Sequence, residues 1–149
     1  MSSSDYFLPD ANLEPGAANA RNIPYLPGHM GLEITRIGRD GAEGGFTIAP
    51  HHHAPNGFLH AGSLVTLADS LCGLACMASL PASASGFTTI ELKSNFFATA
   101  LEGRVHGVAS PVHLGGTTQV WDCDVTHLDT GKRLALFRCT QMVLKPRKA

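Results

Sequence analysis

Asp69 is the only Asp, Glu, Lys or Arg between Glu43 and Glu91. It lies within Ala61-Gly-Ser-Leu-Val-Thr-Leu-Ala-Asp-Ser-Leu-Cys-Gly-Leu-Ala-Cys-Met-Ala78, a stretch that otherwise reads as protein core. Acidic side chains are almost never fully buried unless something pairs with them or uses them. Removal from water disfavours the ionised form and raises a carboxylate's pKa. A lone carboxylate held there is a candidate general base or nucleophile. The plainer reading is a helix carboxylate that caps a neighbouring backbone group or faces a wet interface.

Two other groups of residues could carry chemistry. His51-His-His53 with His60 has the look of a metal cluster. Consecutive histidines point in different directions, however, and no nearby carboxylate completes a ligand set, so no metal site is expected. Cys72 and Cys76 share a helix face at i,i+4, and Cys123 and Cys139 lie further on. There is no Cys-x-x-Cys pair and no disulfide framework, so the four thiols read as small core hydrophobes.

The elements that would position Asp69 follow from periodicity. Leu32 to Ile37 and Ala42 to Ala49 read as two strands around the Gly38-Arg-Asp-Gly41 turn. A loop rich in Pro, Asn and Gly runs from His51 to His60, and a helix follows to about Ser79, stopped by Pro81. Four strands then alternate apolar and polar residues: Thr88 to Ala98, Gly103 to Val112, Thr117 to His127 and Arg133 to Leu144. Short Gly-containing turns between them imply an antiparallel meander. An all-round apolar helix beside one such sheet is buried when the sheet curls around it, an α+β arrangement. Residues 1–28 read as an N-terminal arm, with a short helix over Ala11 to Arg21 interrupted at Pro15, and residues 29–149 as one domain.

Composition narrows the function. A net charge of −1 over 149 residues leaves no basic excess to hold a nucleic-acid backbone. Leu59 to Leu80 is long enough to raise the question of a membrane span, but Asp69, Thr66, His60 and three serines favour a core helix. Met1-Ser-Ser-Ser-Asp-Tyr-Phe lacks a basic n-region and an apolar run, so a cytoplasmic location is expected. No Gly-x-Ser-x-Gly elbow and no Gly-x-Gly-x-x-Gly loop occurs, which argues against a serine hydrolase and a dinucleotide fold.

Asn56-Gly-Phe-Leu-His-Ala-Gly-Ser-Leu-Val-Thr-Leu-Ala-Asp69 resembles the signature of hotdog-fold acyl-CoA thioesterases, in particular the PaaI-like branch and the Arthrobacter-type 4-hydroxybenzoyl-CoA thioesterases. That signature is a Gly-x-x-His-Gly-Gly loop followed by a helix with an acid nine residues after the His. Gly57, His60, Ala61, Gly62 and Asp69 fall at those places. Thr89-Ile-Glu-Leu-Lys-Ser-Asn-Phe-Phe97, His113 to Asp122 and Met142 to Lys148 are similar to the strands that follow. The resemblance covers roughly residue 30 to the end and implies a hotdog fold, with the element order given above.

The resemblance also implies roles. Asp69 serves as nucleophile or general base in hydrolysis of an aryl- or medium-chain acyl-CoA, and the sequence does not choose between them. The N–H of Ala61, at the helix start, polarises the thioester carbonyl. Thr89 matches a position that holds the attacking water, the plainer reading being an ordinary strand threonine; His60 organises the loop or acts as acid or base, and Gly62 belongs to the substrate-binding loop. Eight residues of helical rise put Ala61 and Asp69 roughly 12 Å apart, too far for one thioester group. The family resolves this by dimerisation, so the expected minimal unit is a homodimer, with a dimer-of-dimers tetramer above it. Coenzyme A enters as part of the substrate, and no separate cofactor is expected.

Departures from the signature are specific. Ala61 replaces the first Gly of the Gly-Gly pair, keeping the N–H and adding a methyl group. Many members place Asn or Gln six residues before the His; here that residue is Ala54, with Asn56 four before. Either the loop shifts to bring Asn56 in, or a side-chain donor is missing. Ala98-Thr99 stands where the 4-hydroxybenzoyl enzymes have Arg-Pro, leaving Arg138, Arg147 and Lys148 as alternative partners for the CoA phosphates. Two other functions use the same broad fold: enoyl-CoA hydration, which combines an Asp with a His, and non-catalytic acyl-CoA binding, for which Ala61 and Ala54 are the best argument.

Overall fold

A computed structural model describes residues 13–146. The chain runs α1 (Pro15–Asn22), α2 (Leu26–His29), β1 (Glu33–Gly38), β2 (Gly41–Thr47), a 3-10 turn (Pro50–His52), α3 (Ala61–Ser79), β3 (Gly86–Phe96), β4 (Arg104–Leu114), β5 (Thr118–His127) and β6 (Arg133–Leu144). All six strands form one antiparallel sheet in the order β1-β2-β4-β5-β6-β3. The strand order and the curl around α3 are those of the hotdog fold. The expected strands appear with ends shifted by at most two residues, and β6 keeps both of its expected ends.

Helix α3 sits on the concave face. By length and composition alone it would suit a membrane span. Its stripe Leu64, Leu67, Ala68, Leu71, Cys72, Ala75 and Cys76 is instead buried against the sheet. Inward residues of β5 and β6, including Trp121, Cys123, Phe137 and Cys139, close the core from below. Gly107 lets the helix come this close: a Cβ there would lie 2.7 Å from Leu71 Cδ1. The opposite stripe of α3, with Val65, Asp69, Ser70, Gly73, Leu74 and Met77, is only half-buried. The helix is therefore wrapped on one side and lines a cleft on the other.

A buried amide and an indole tie the C-terminal half of α3 to the sheet. Gln119 Nε2 donates to the Ser79 carbonyl at 3.3 Å, and Trp121 Nε1 donates to Gln119 Oε1 at 3.0 Å. Ser79 Oγ reaches the Arg39 carbonyl at 3.0 Å, fixing the β1–β2 turn to the same end.

The described part of the N-terminal arm packs on the domain. Its helix begins at Pro15, later than the expected Ala11, because proline suits the first helical position, where its missing N–H has no partner to lose. Asn19 pairs with β1 as a further strand would: Nδ2 donates to the Ile34 carbonyl at 3.0 Å and Oδ1 accepts the Ile34 N–H at 2.8 Å. That covers one edge of the sheet. The other edge, β3, is open and carries the exposed apolar residues Ile90, Leu92 and Phe96, with Phe97 just beyond.

Candidate active site

The start of α3 is held by histidines. His52 is 2% exposed; its Nδ1 accepts the Ala49 N–H at 2.9 Å, and its Nε2 donates to the Met30 carbonyl at 2.8 Å. This fixes the neutral tautomer with the proton on Nε2, and burial lowers the ring's pKa. The His52 carbonyl accepts both the His60 N–H and the Ser63 hydroxyl, each at 2.9 Å, and so sets where α3 begins. His53 Nε2 bonds the Leu101 carbonyl at 3.0 Å. The consecutive histidines thus serve different backbone groups.

His60 is the N-cap of α3. Its Nδ1 accepts the Gly62 N–H at 2.8 Å, which caps the start of the helix. Gly62 permits this because a Cβ would sit 2.9 Å from the same nitrogen. The Ser63 N–H turns back to the His60 carbonyl at 2.9 Å. Among the described residues the Ala61 N–H has no partner, and Ala61 is exposed. An unpaired N–H at a helix N-terminus is a ready donor to a developing negative charge.

Asp69 opens into a cleft of about 260 Å³ lined by Asn22, Pro27, Asp69, Ser70, Gly73, Leu74, Met77, Phe87 and Thr89. Its Oδ1 is inaccessible to solvent and has no hydrogen-bond partner among the described residues. Desolvation pushes its pKa above the ordinary aspartate value. Neighbouring hydroxyls offer it no proton: Thr66 Oγ1 donates to the Gly62 carbonyl at 2.8 Å, and Ser70 Oγ to the Thr66 carbonyl at 2.6 Å. Thr89 lines the same cleft and donates its hydroxyl proton to Gln141 Oε1 at 2.8 Å. A bulge on β3 falls just after Thr89, between Thr89 and Glu91, where such irregularities re-aim side chains.

Asn56 is not brought to this cleft. Its Oδ1 accepts the Phe58 N–H at 3.2 Å within a turn whose Gly57 has a φ of 84°. The Ala54 N–H donates to the Phe58 carbonyl at 2.7 Å, closing that turn.

Residues 56–133 match the thioesterase superfamily. The chain belongs to that superfamily. It is a thioester hydrolase. It is 31% identical over 130 residues to proofreading thioesterase EntH of Cronobacter turicensis, covering 86% of this chain and 92% of that one. It is 32% identical over 119 residues to 1,4-dihydroxy-2-naphthoyl-CoA hydrolase of Listeria monocytogenes, covering 80% and 95%. A solved thioesterase from Haemophilus influenzae superposes with a TM-score of 0.81 at 26% identity, covering 89% of this chain and 91% of that one.

In this thioesterase the thiols are core residues. All four cysteines are buried and free. Burial pushes Cys76 up to about 12, and hydrogen bonds to Cys123 and Cys139, with burial, raise Cys72. Neither Cys72 nor Cys76 is a nucleophile at neutral pH. Arg138 forks onto Asp122 at 2.6 and 2.8 Å. By strand alternation it lies on the outer face, since Phe137 and Cys139 point inward. Arg147 and Lys148 lie outside the described residues. Asn22, His52 and Gln141 were not among the expected site residues. Gln141 had a readable signal: an amide in phase with the inward residues Phe137, Cys139 and Val143.

Proposed function

We propose that this thioesterase hydrolyses an acyl-CoA to the free acid and CoA, at a site shared between two copies. One copy supplies Asp69, and the other supplies the Ala61 N–H. The observation that carries the reading is the Asp69 carboxylate, with an unpartnered oxygen, at the wall of an otherwise largely apolar cleft. In the ionised form it can take a proton from water or attack a carbonyl carbon. An N–H with no other partner stabilises the oxyanion that forms.

The acyl group is aryl or medium-chain. Leu74, Met77, Phe87 and Pro27 give the cleft apolar walls, and the named substrate of one relative is an aromatic acyl-CoA. Sharing follows from distance, because helical rise separates Ala61 and Asp69 by roughly 12 Å in one chain. The open β3 edge, with Phe97 58% and Ile90 51% exposed, supplies an apolar surface for the second copy. Pairing of two such dimers would cover Val112, Leu114, Met142 and Leu144, which are also exposed.

Thiol release across short, long and aromatic acyl-CoAs tests the activity. Turnover of aromatic or medium-chain esters is expected, and failure to cleave any of them would refute it.

A further inference from the structure

Gln141 is 0% exposed, and it lies in register between Gln119 on β5 and Thr89 on β3. A buried carboxamide is costly unless hydrogen-bonded. Its Nε2 lies 3.3 Å from Cys139 Sγ, and its Oε1 accepts the Thr89 proton at 2.8 Å. A hydroxyl has one proton and two lone pairs. With that proton committed to Gln141, Thr89 offers the cleft only lone pairs.

Asp69, on another wall of the same cleft, also offers only lone pairs when ionised. A group bridging these residues has to donate to both. A carbonyl oxygen cannot do so, whereas water can. Its two protons then point at Asp69 and Thr89, and a lone pair is left to face the thioester.

We propose that Gln141 is a positioning residue for hydrolysis. By holding the Thr89 proton it makes Thr89 an acceptor, and that fixes the attacking water between Thr89 and Asp69. The proposal rests on the thioester-hydrolysis reading above and chooses the general-base role for Asp69. The water oxygen bonds to the carbonyl carbon as one water proton passes to the Asp69 carboxylate. The C–S bond then breaks, and that proton neutralises the departing thiolate.

Steady-state thiol release on the best acyl-CoA tests this with Gln141→Met, Thr89→Val, their combination, and Thr89→Ser. Misplacing a reacting group by a small distance can cost ~10²-fold. Gln141→Met and Thr89→Val should each lower kcat by about 10- to 100-fold with KM changed less than about twofold. The double variant should be no slower than Thr89→Val, and Thr89→Ser should recover activity to within about threefold of wild type. Multiplying losses in the double variant, an unchanged kcat in Gln141→Met, or a rise in KM alone would each overturn the proposal. Thr89→Val leaves the buried amide in place and keeps the test open should Gln141→Met fold poorly; an unchanged kcat there also overturns it. A wild type that releases no thiol from any acyl-CoA fails the underlying reading, a distinct result, and the proposal falls with it.

Discussion

His60 Nδ1 takes the N–H of Gly62, two residues along the chain, at 2.8 Å. That bond singles out the N–H between them, because Ala61 is left as the unpaired donor at the head of α3. Proline at Ala61 would delete this donor without breaking the helix. Ala61 is the first helical residue, where proline is favoured, and His60 already has the extended backbone, φ −70° and ψ 134°, that precedes a proline comfortably. Ala61→Pro should keep the wild-type melting temperature to within a few degrees. Its kcat should fall by about 10²- to 10³-fold, as for other lost oxyanion donors. Steady-state kinetics beside a thermal melt checks both.

Asp69 should set opposing demands on activity and stability. Its pKa in the fold is raised by desolvation, so the fold favours the neutral acid. That contribution to stability is complete below the ordinary aspartate pKa and is lost as pH rises through the raised, folded value. Activity needs the ionised form, so kcat/KM should fall as pH drops through the same raised value, above the range of an unperturbed carboxylate. Asp69→Asn should melt at a higher temperature than wild type at pH 7, and its gain should shrink as pH is lowered. Melts at several pH values, set beside the pH-rate profile, read both effects.

His52 predicts the opposite pH slope. Burial lowers its pKa in the fold, and both ring nitrogens are engaged in a way that requires the neutral tautomer. Its contribution is present above the ordinary histidine pKa and is lost as pH falls through the lower, folded value. His52→Phe, with neither hydrogen bond, should melt lower than wild type at neutral pH, and the difference should narrow in acid.

If the site is shared, two dead variants should make one live site. A mixed dimer of Ala61→Pro and Asp69→Asn has one site with both wild-type groups and one with neither. Random mixing should restore about a quarter of wild-type activity, half of the chains' pairings being mixed and each of those having one working site. Subunit exchange followed by thiol-release assay measures this, and no recovery on confirmed exchange would place both groups in one chain's own site.

Gly73 faces the cleft, and a Cβ there would make ordinary contact with Phe87 Cζ at 3.4 Å. Gly73→Ala should be tolerated. Gly73→Leu should fill the cleft and slow aromatic and long acyl-CoAs by at least about 10-fold relative to the shortest esters, since a blocked pocket acts through binding and orientation.

Much of this was legible in the sequence, for identifiable reasons. Alternation along β5, and along β6 from Ala135 onward, follows from one buried face, and the lone Asp69 stood out because nothing else charged lies near it in the chain. The half-open side of α3 was less legible: Leu74 and Met77 look the same in sequence whether they meet a sheet, a ligand or a second subunit. His52 was hidden among three consecutive histidines, since its partners, Ala49 and Met30, are backbone groups with no sequence signature. Asn56 Oδ1 accepts the Phe58 N–H in a turn that needs Gly57 at positive φ, a local use that residue spacing does not reveal. Arg138 looked free for a phosphate because Asp122 is sixteen residues away in sequence and adjacent only across the β5–β6 ladder.

The central claim is that Asp69 drives thioester hydrolysis from the wall of the cleft. Single-turnover thiol release, with enzyme in excess over an aromatic acyl-CoA, compares wild type and Asp69→Asn directly and separates chemistry from product release. The account predicts rapid release by wild type and a loss of at least about 10³-fold in the variant, with the variant still folded and still binding the ester. Equal rates, or no release by either protein, would contradict it.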